Sequence, residues 1–242
     1  MGVNTRNRII TDGLVLNLDA GNRQSYTSGN TDWRDLSGNN NNGTLTNGPT
    51  FSSENGGSIV LDGVDDYVVN TLLSTLSDDN SLTVNMFVNI DEPTKATKGG
   101  LLCNQRFQSE SDAGGFGFVI ESGGLIGVNL TKNISSVQTS YEVLSSFAMN
   151  RQQFALYTFT YNSNTKTVIT YKNGVQQATT TNANYGWTKN TTNRLTHIGI
   201  NTQGGWGAYY KMKISNVQIY NRVLTQQEIT QNFNATRTRY GI

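Results

Sequence analysis

The chain has 242 residues, of which 35% are hydrophobic and only 14% charged, with a net charge of +1. That balance supplies no attraction to nucleic acid or to an anionic membrane surface, and no apolar run is long enough to span a bilayer. One cysteine and one histidine exclude an internal disulfide and a multi-histidine metal centre, so stability must come from packing and backbone hydrogen bonds.

Residues 1–11 read as a polar N-terminal arm without the apolar core of a signal peptide, and residues 12–242 as one domain. Leu14 to Leu18 alternates and predicts a first strand. The Asn-rich stretch Ser37 to Gly48 reads as a surface loop. Ser58 to Leu61 and Tyr67 to Val69 are predicted as paired strands around the turn Asp62-Gly63-Val64-Asp65-Asp66. Leu82, Val84, Met86, Val88 and Ile90 recur at every second position, the mark of a strand with one buried face. Cys103 ends an apolar Gly-Leu-Leu-Cys run and reads as a small buried hydrophobe.

Further strands are predicted over Gly115–Glu121, Leu125–Leu130, Phe154–Tyr161, Thr167–Lys172 and Val175–Thr180. Asn173-Gly174 between the last two suits a type I′ hairpin turn, which needs positive φ at both central residues. Leu195–Asn201 reads as a strand carrying a structural His197. Tyr209–Tyr220 alternates through Met212, Ile214, Val217 and Ile219, with an irregularity at Ser215-Asn216. Thr225 and Glu228 then fit a capping box, with Ile229 and Phe233 on one helical face. This helix, near 225–236, should end at Arg237 and leave Thr238–Ile242 as a tail. Many short strands and one terminal helix predict an all-β fold, an antiparallel two-sheet sandwich.

Three segments carry a family likeness. They are Asp12 to Gly21 followed by Trp33 to Asn39 and Asn42 to Leu45; Ser58 to Val68; and Ile214 to Thr225 continuing to Asn234. Together they resemble the laminin-G-like, concanavalin-A-like lectin/glucanase jelly-roll superfamily, which implies a jelly-roll sandwich. The opening Arg8 to Leu14 and the closing Asn234 to Gly241 are similar to variants in tailed-bacteriophage structural proteins. That likeness implies a non-enzymatic virion component, a capsid decoration or fibre subunit assembled in the host cytoplasm. Its partners would be other virion proteins and further copies of itself. The alternative is a carbohydrate-binding adhesin or receptor-binding module, outside the cell, directed at a surface glycan. The second alternative is a diverged glycosidase.

Catalytic patterns are missing from the sequence. Asp91 and Glu92 are adjacent, so a strand would point them to opposite faces, and Glu110 and Asp112 sit in a glycine-rich stretch. A single histidine on a strand supports no catalytic triad. Candidate ligand contacts are Trp187, Trp206 and Tyr209, aromatics beside glycines that could stack on a sugar ring. No cofactor is required, but the family resemblance admits calcium, for which Asp35, Asn39 and Asn41 are the candidate ligands, with Asp65 and Asp66 as a second cluster. On residue chemistry alone, Trp33 and Asp35 also suit a structural task, anchoring the loop and binding its backbone amides.

Overall fold

A computed structural model describes residues 8–71, 76–91, 98–104, 114–121, 123–134, 137–148, 152–188, 195–201 and 208–242. The first strands are β1 (Leu14–Asp19), β2 (Asp32–Trp33), β3 (Gly43–Thr46), β4 (Thr50–Ser52), β5 (Ser58–Asp62) and β6 (Tyr67–Asn70). Next come β7 (Leu82–Ile90), β8 (Gly99–Cys103), β9 (Gly115–Ile120), β10 (Leu125–Ile134), β11 (Val137–Ala148) and β12 (Ala155–Asn162). The last are β13 (Thr167–Lys172), β14 (Val175–Thr181), β15 (Thr196–Ile198), β16 (Ile200–Asn201), β17 (Ala208–Tyr209) and β18 (Lys211–Tyr220), followed by helix α1 (Gln226–Thr236).

Two antiparallel sheets face each other. The first runs β14-β13-β12-β7-β18-β5-β4, and β1 lies beside β5 on the same edge of β18. The second runs β11-β10-β9-β8-β15-β6-β3-β2. Alternation along the strands fills the space between them: Leu82, Val84, Met86, Val88 and Ile90 of the first sheet are buried with Phe116, Phe118, Ile126, Val128 and Leu130 of the second. The chain is therefore an all-β two-sheet jelly roll with one short C-terminal helix, as its patterning predicts.

The helix covers the outer face of the first sheet. Its capping box forms as expected: the Thr225 hydroxyl accepts from Glu228 N and the Glu228 carboxylate accepts from Thr225 N at 2.8 Å. Ile229 packs with Tyr171, Tyr220 and Leu224, and Phe233 stacks beside Phe87. Residues 8–10 lie on this helix, where Ile10 N donates to Asn232 Oδ1 at 2.8 Å and Gln231 Nε2 to the Arg8 carbonyl at 2.8 Å. The rest of the predicted arm, residues 1–7, is outside the described residues.

Three expectations change. The Asp62–Asp66 turn does not join paired strands, because β5 belongs to the first sheet and β6 to the second; the turn carries the chain across the sandwich. The polar stretch Ser37–Gly48 contains β3, whose small polar residues alternate outwards around buried Leu45. The expected tail instead forms a 3-10 turn, Arg237–Tyr240, that buries Tyr240 against Phe87 and Phe154. The hairpin at Asn173-Gly174 holds, with φ of 51° and 79° and Lys172 paired to Val175.

Candidate functional site

The sequence candidates separate in space. Trp187 is fully buried: its ring meets Phe116 edge-on at 5.3 Å and its Nε1 donates to the Asn80 carbonyl at 3.1 Å. The glycine context suggested an exposed loop aromatic, and the structure corrects this to a core residue that no ligand can reach. Trp206 lies outside the described residues, as do Glu92, Glu110 and Asp112. Tyr209 is half-buried on β17, with its ring 6.4 Å from Tyr67, which in turn sits 5.8 Å from His197.

Asp35, Asn39 and Asn41 work on the backbone. Asp35 Oδ1 accepts from Asn17 N at 2.8 Å and Ser37 N at 2.8 Å, and Oδ2 from Ser37 Oγ at 2.7 Å and Asn41 N at 3.0 Å. Four donors take up the acceptor sites of that carboxylate. Asn39 Nδ2 donates to the Leu14 carbonyl and Asn41 Nδ2 to the Val15 carbonyl, so the loop is sewn to β1. Asp62, Asp65 and Asp66 bring carboxylate oxygens within 4.8 Å of one another. Two of the three carboxylates serve the turn: Asp62 Oδ1 accepts from Val64 N at 2.8 Å and Asp66 Oδ2 from Asp62 N at 3.0 Å. The Val64 N–H holds the Asp62 carboxyl below its ordinary value, while burial raises that of Asp66.

Among the described residues, the carboxylate pair closest to an enzyme-like arrangement is Glu121 and Glu142. Glu121 follows β9, Glu142 is on β11, and Lys98 bridges them from the start of β8. Burial first, and then the neighbouring Glu142, pushes Glu121 up to about 7. Glu142, which burial alone would raise, is brought below its usual value by hydrogen bonds with Glu121 and Lys98. Both carboxylates lie against the one Lys98 ammonium, which brings their nearest oxygens closer than the ~5–5.5 Å that a retaining glycosidase needs.

Among the described residues, a recess with binding geometry lies elsewhere, at the edge where the β1–β2 loop meets β4. Its centre is Tyr26 and Phe51, with ring centroids 5.5 Å apart. Residues 19–31 reach it through a compact set of turns: Asn22 O accepts from both Ser25 N and Tyr26 N, and Tyr26 Oη donates to the Asn30 carbonyl at 3.0 Å. Phe51 stands on β4, the outermost strand of the first sheet, in register with Ile59. That edge position leaves its ring half-exposed.

Two lobes open on either side of this ring pair. One, of about 470 Å³, is lined by Gly21, Arg23, Tyr26, Phe51, Ser53 and Gly56. The other, of about 390 Å³, is lined by Tyr26, Ser28, Asn30, Leu45, Thr50 and Phe51. Both fall within the ~300–1,000 Å³ typical of small-ligand pockets. The wall of the larger lobe is built by close contact: a Cβ on Gly21 would stand 2.0 Å from the Gly56 carbonyl oxygen, so the β1–β2 loop can touch the β4–β5 connection only through glycine. None of the sequence candidates lines this groove.

An antiparallel two-sheet jelly roll with an aromatic-centred groove at one edge defines a lectin-like domain. The chain belongs to the concanavalin A-like lectin/glucanases superfamily, whose family model matches residues 62–230. Tyr26 and Phe51 precede the matched span. Among curated proteins no match is found. Solved structures with the same fold include the binding domain of paraclostridial mosquitocidal protein 1, at 16% identity, with a TM-score of 0.69 and 93% of this chain aligned to 52% of that one. The ligand-binding domain of botulinum neurotoxin serotype D in complex with N-acetylneuraminic acid aligns at 14% identity, TM-score 0.67, over 93% of this chain and 51% of its own. The binding domain of botulinum neurotoxin DC in complex with rat synaptotagmin II aligns at 14% identity, TM-score 0.66, over 94% and 52%. This chain thus spans about half the length of these domains.

Proposed function

We propose that this domain is a non-catalytic recognition module that binds a saccharide of a surface glycan in the groove, against Phe51 in the lobes that flank the Tyr26–Phe51 pair. The observation that carries the reading is the pair of sugar-sized lobes flanking two aromatic rings. A half-exposed Phe51 offers an apolar face for the C–H side of a pyranose, and Ser28, Asn30, Thr50 and Ser53 supply polar groups at the rim.

The structural relatives support recognition over the virion-decoration reading, since their names describe binding domains, one with a sugar acid and one with a protein receptor. The close spacing of Glu121 and Glu142 around Lys98 speaks against hydrolysis by that pair. Binding in the groove calls on no cation, so removing divalent metal with a chelator should leave it unchanged.

Glycan-array screening followed by titration calorimetry tests the reading. Phe51→Ala removes roughly 1.5–3 kcal/mol of apolar contact, a loss of about ten-fold or more in affinity. A ligand bound equally by wild type and Phe51→Ala, or hydrolysed by the wild type, would overturn it.

A further inference from the structure

We infer that the groove selects an acidic saccharide, with a carboxylate of the ligand seated against Arg23 in the larger lobe. This inference rests on the reading of the groove as a sugar site and deepens it. The charged groups around the lobe carry the argument. Arg239 is neutralised by Asp19, with Nη1 to Oδ1 at 2.7 Å and Nη2 to Oδ2 at 3.1 Å. Lys213 is paired with Glu54 at 3.0 Å beside the lobe's far wall. Arg23, which lines the same lobe, forms no ion pair or guanidinium hydrogen bond among the described residues, and the lobe's lining includes no carboxylate.

The larger lobe therefore presents one uncompensated cation beside an aromatic floor. A guanidinium is planar and offers two parallel N–H donors, which match the two oxygens of a carboxylate. A sugar whose ring lies on Phe51 and whose carboxylate points into the larger lobe satisfies both features at once. The smaller lobe has no charged lining residue, so an adjoining neutral sugar fits there. Charge and stacking then act on neighbouring units of one oligosaccharide. Selectivity is set in the larger lobe.

Titration calorimetry on the full chain tests this with four probes: N-acetylneuraminic acid, a glucuronic-acid disaccharide, the same disaccharide with its carboxylate reduced to an alcohol, and a sulfated disaccharide. A carboxylated probe should bind about ten-fold tighter than the reduced one, and more weakly as salt rises. Arg23→Gln should abolish that difference and leave the reduced probe within about two-fold of wild type, while Arg23→Lys should restore only part of it. Arg23 is exposed, so both variants should melt with the wild type.

If the reduced and carboxylated probes bind alike and Arg23→Gln changes neither, the acidic-ligand inference falls and the groove reading stands. A sulfated probe that outcompetes both carboxylated ones overturns the carboxylate assignment. If no probe binds, or Phe51→Ala leaves all binding intact, both inferences fall together.

Discussion

Asp19 and Arg239 stand 220 residues apart in sequence and meet in a two-pronged ion pair that joins the end of β1 to the last turn of the chain. The same Asp19 Oδ1 accepts from Gly21 N at 2.9 Å, and the Arg239 side chain lies where a Cβ on Gly56 would fall, 2.6 Å from its Cγ. The C-terminal turn thus props the two loops that wall the larger lobe of the groove. Arg239→Ala should cost about 2 kcal/mol, less than a deeply buried pair because both side chains are partly wet. It should also weaken ligand binding without touching the ligand. Urea denaturation and calorimetry on one preparation check both effects; a variant that loses neither stability nor affinity would remove the prop from the account.

Asp35 holds four donors, and its replacement leaves them unpaired in a half-buried loop. Asp35→Ala is expected to destabilise the domain by about 2–3 kcal/mol. Asp35→Asn should cost less, since one oxygen remains to accept, but it cannot match the carboxylate because its amide meets another donor. Equal melting of wild type and Asp35→Ala in calcium-free buffer would refute the clamp.

Much of the fold is written in local patterns. The alternation Leu82 to Ile90, the Asn173-Gly174 turn and the Thr225–Glu228 box each depend on neighbours in sequence, and each forms as read. β11 escapes such reading because Val137–Ala148 mixes Gln, Thr, Ser and Glu with its apolar residues and shows no clean period. The groove was not legible. Tyr26 sits in a polar turn, and Phe51 is one aromatic on a three-residue edge strand, so each looks unremarkable until the sandwich brings the two loops together. Trp187 fails in the opposite sense: glycine beside an aromatic suggests a loop tip, yet buried Gly186 lets the chain tuck in, with Asp79 N donating to the Trp187 carbonyl at 2.9 Å.

That burial makes Trp187 a test of position against chemistry. Trp187→Ala should cost ~3–5 kcal/mol through the cavity it leaves, and Trp187→Phe should cost less while stranding the Asn80 carbonyl. Glycan affinity per folded molecule should be unchanged in Trp187→Phe, in contrast to Phe51→Ala. A selective loss of binding in a well-folded Trp187→Phe protein would return this residue to the ligand site.

The pair Glu121–Glu142 and the pair Arg222–Glu228 impose opposite slopes on stability against pH. Glu121, pushed up to about 7 by burial and then by Glu142, keeps its proton in the fold where an unfolded chain would release it at ~4.3. Its contribution is complete below that unfolded value and fades as pH rises through about 7. Glu228 is brought down to about 2, mainly by its bond to Arg222, so its contribution is complete above ~4.3 and fades as pH falls towards 2. These two groups alone place maximum stability near pH ~4.3, where both contributions are complete. Glu121→Gln should flatten the slope between pH 5 and 8 and, after allowance for solvent screening, gain on the order of 1 kcal/mol at pH 8, since Lys98 keeps Glu142 as its partner. The side chain can reach across β10 because Gly127 lies beneath it, where a Cβ would come within 3.0 Å of Glu121 Oε1. Gly127→Ala should therefore disturb the same slope by forcing the carboxylates apart. Urea melts of wild type and both variants at unit pH steps decide the matter, and a wild-type stability that rises steadily from pH 5 to 8 would show that the two glutamates do not share a proton.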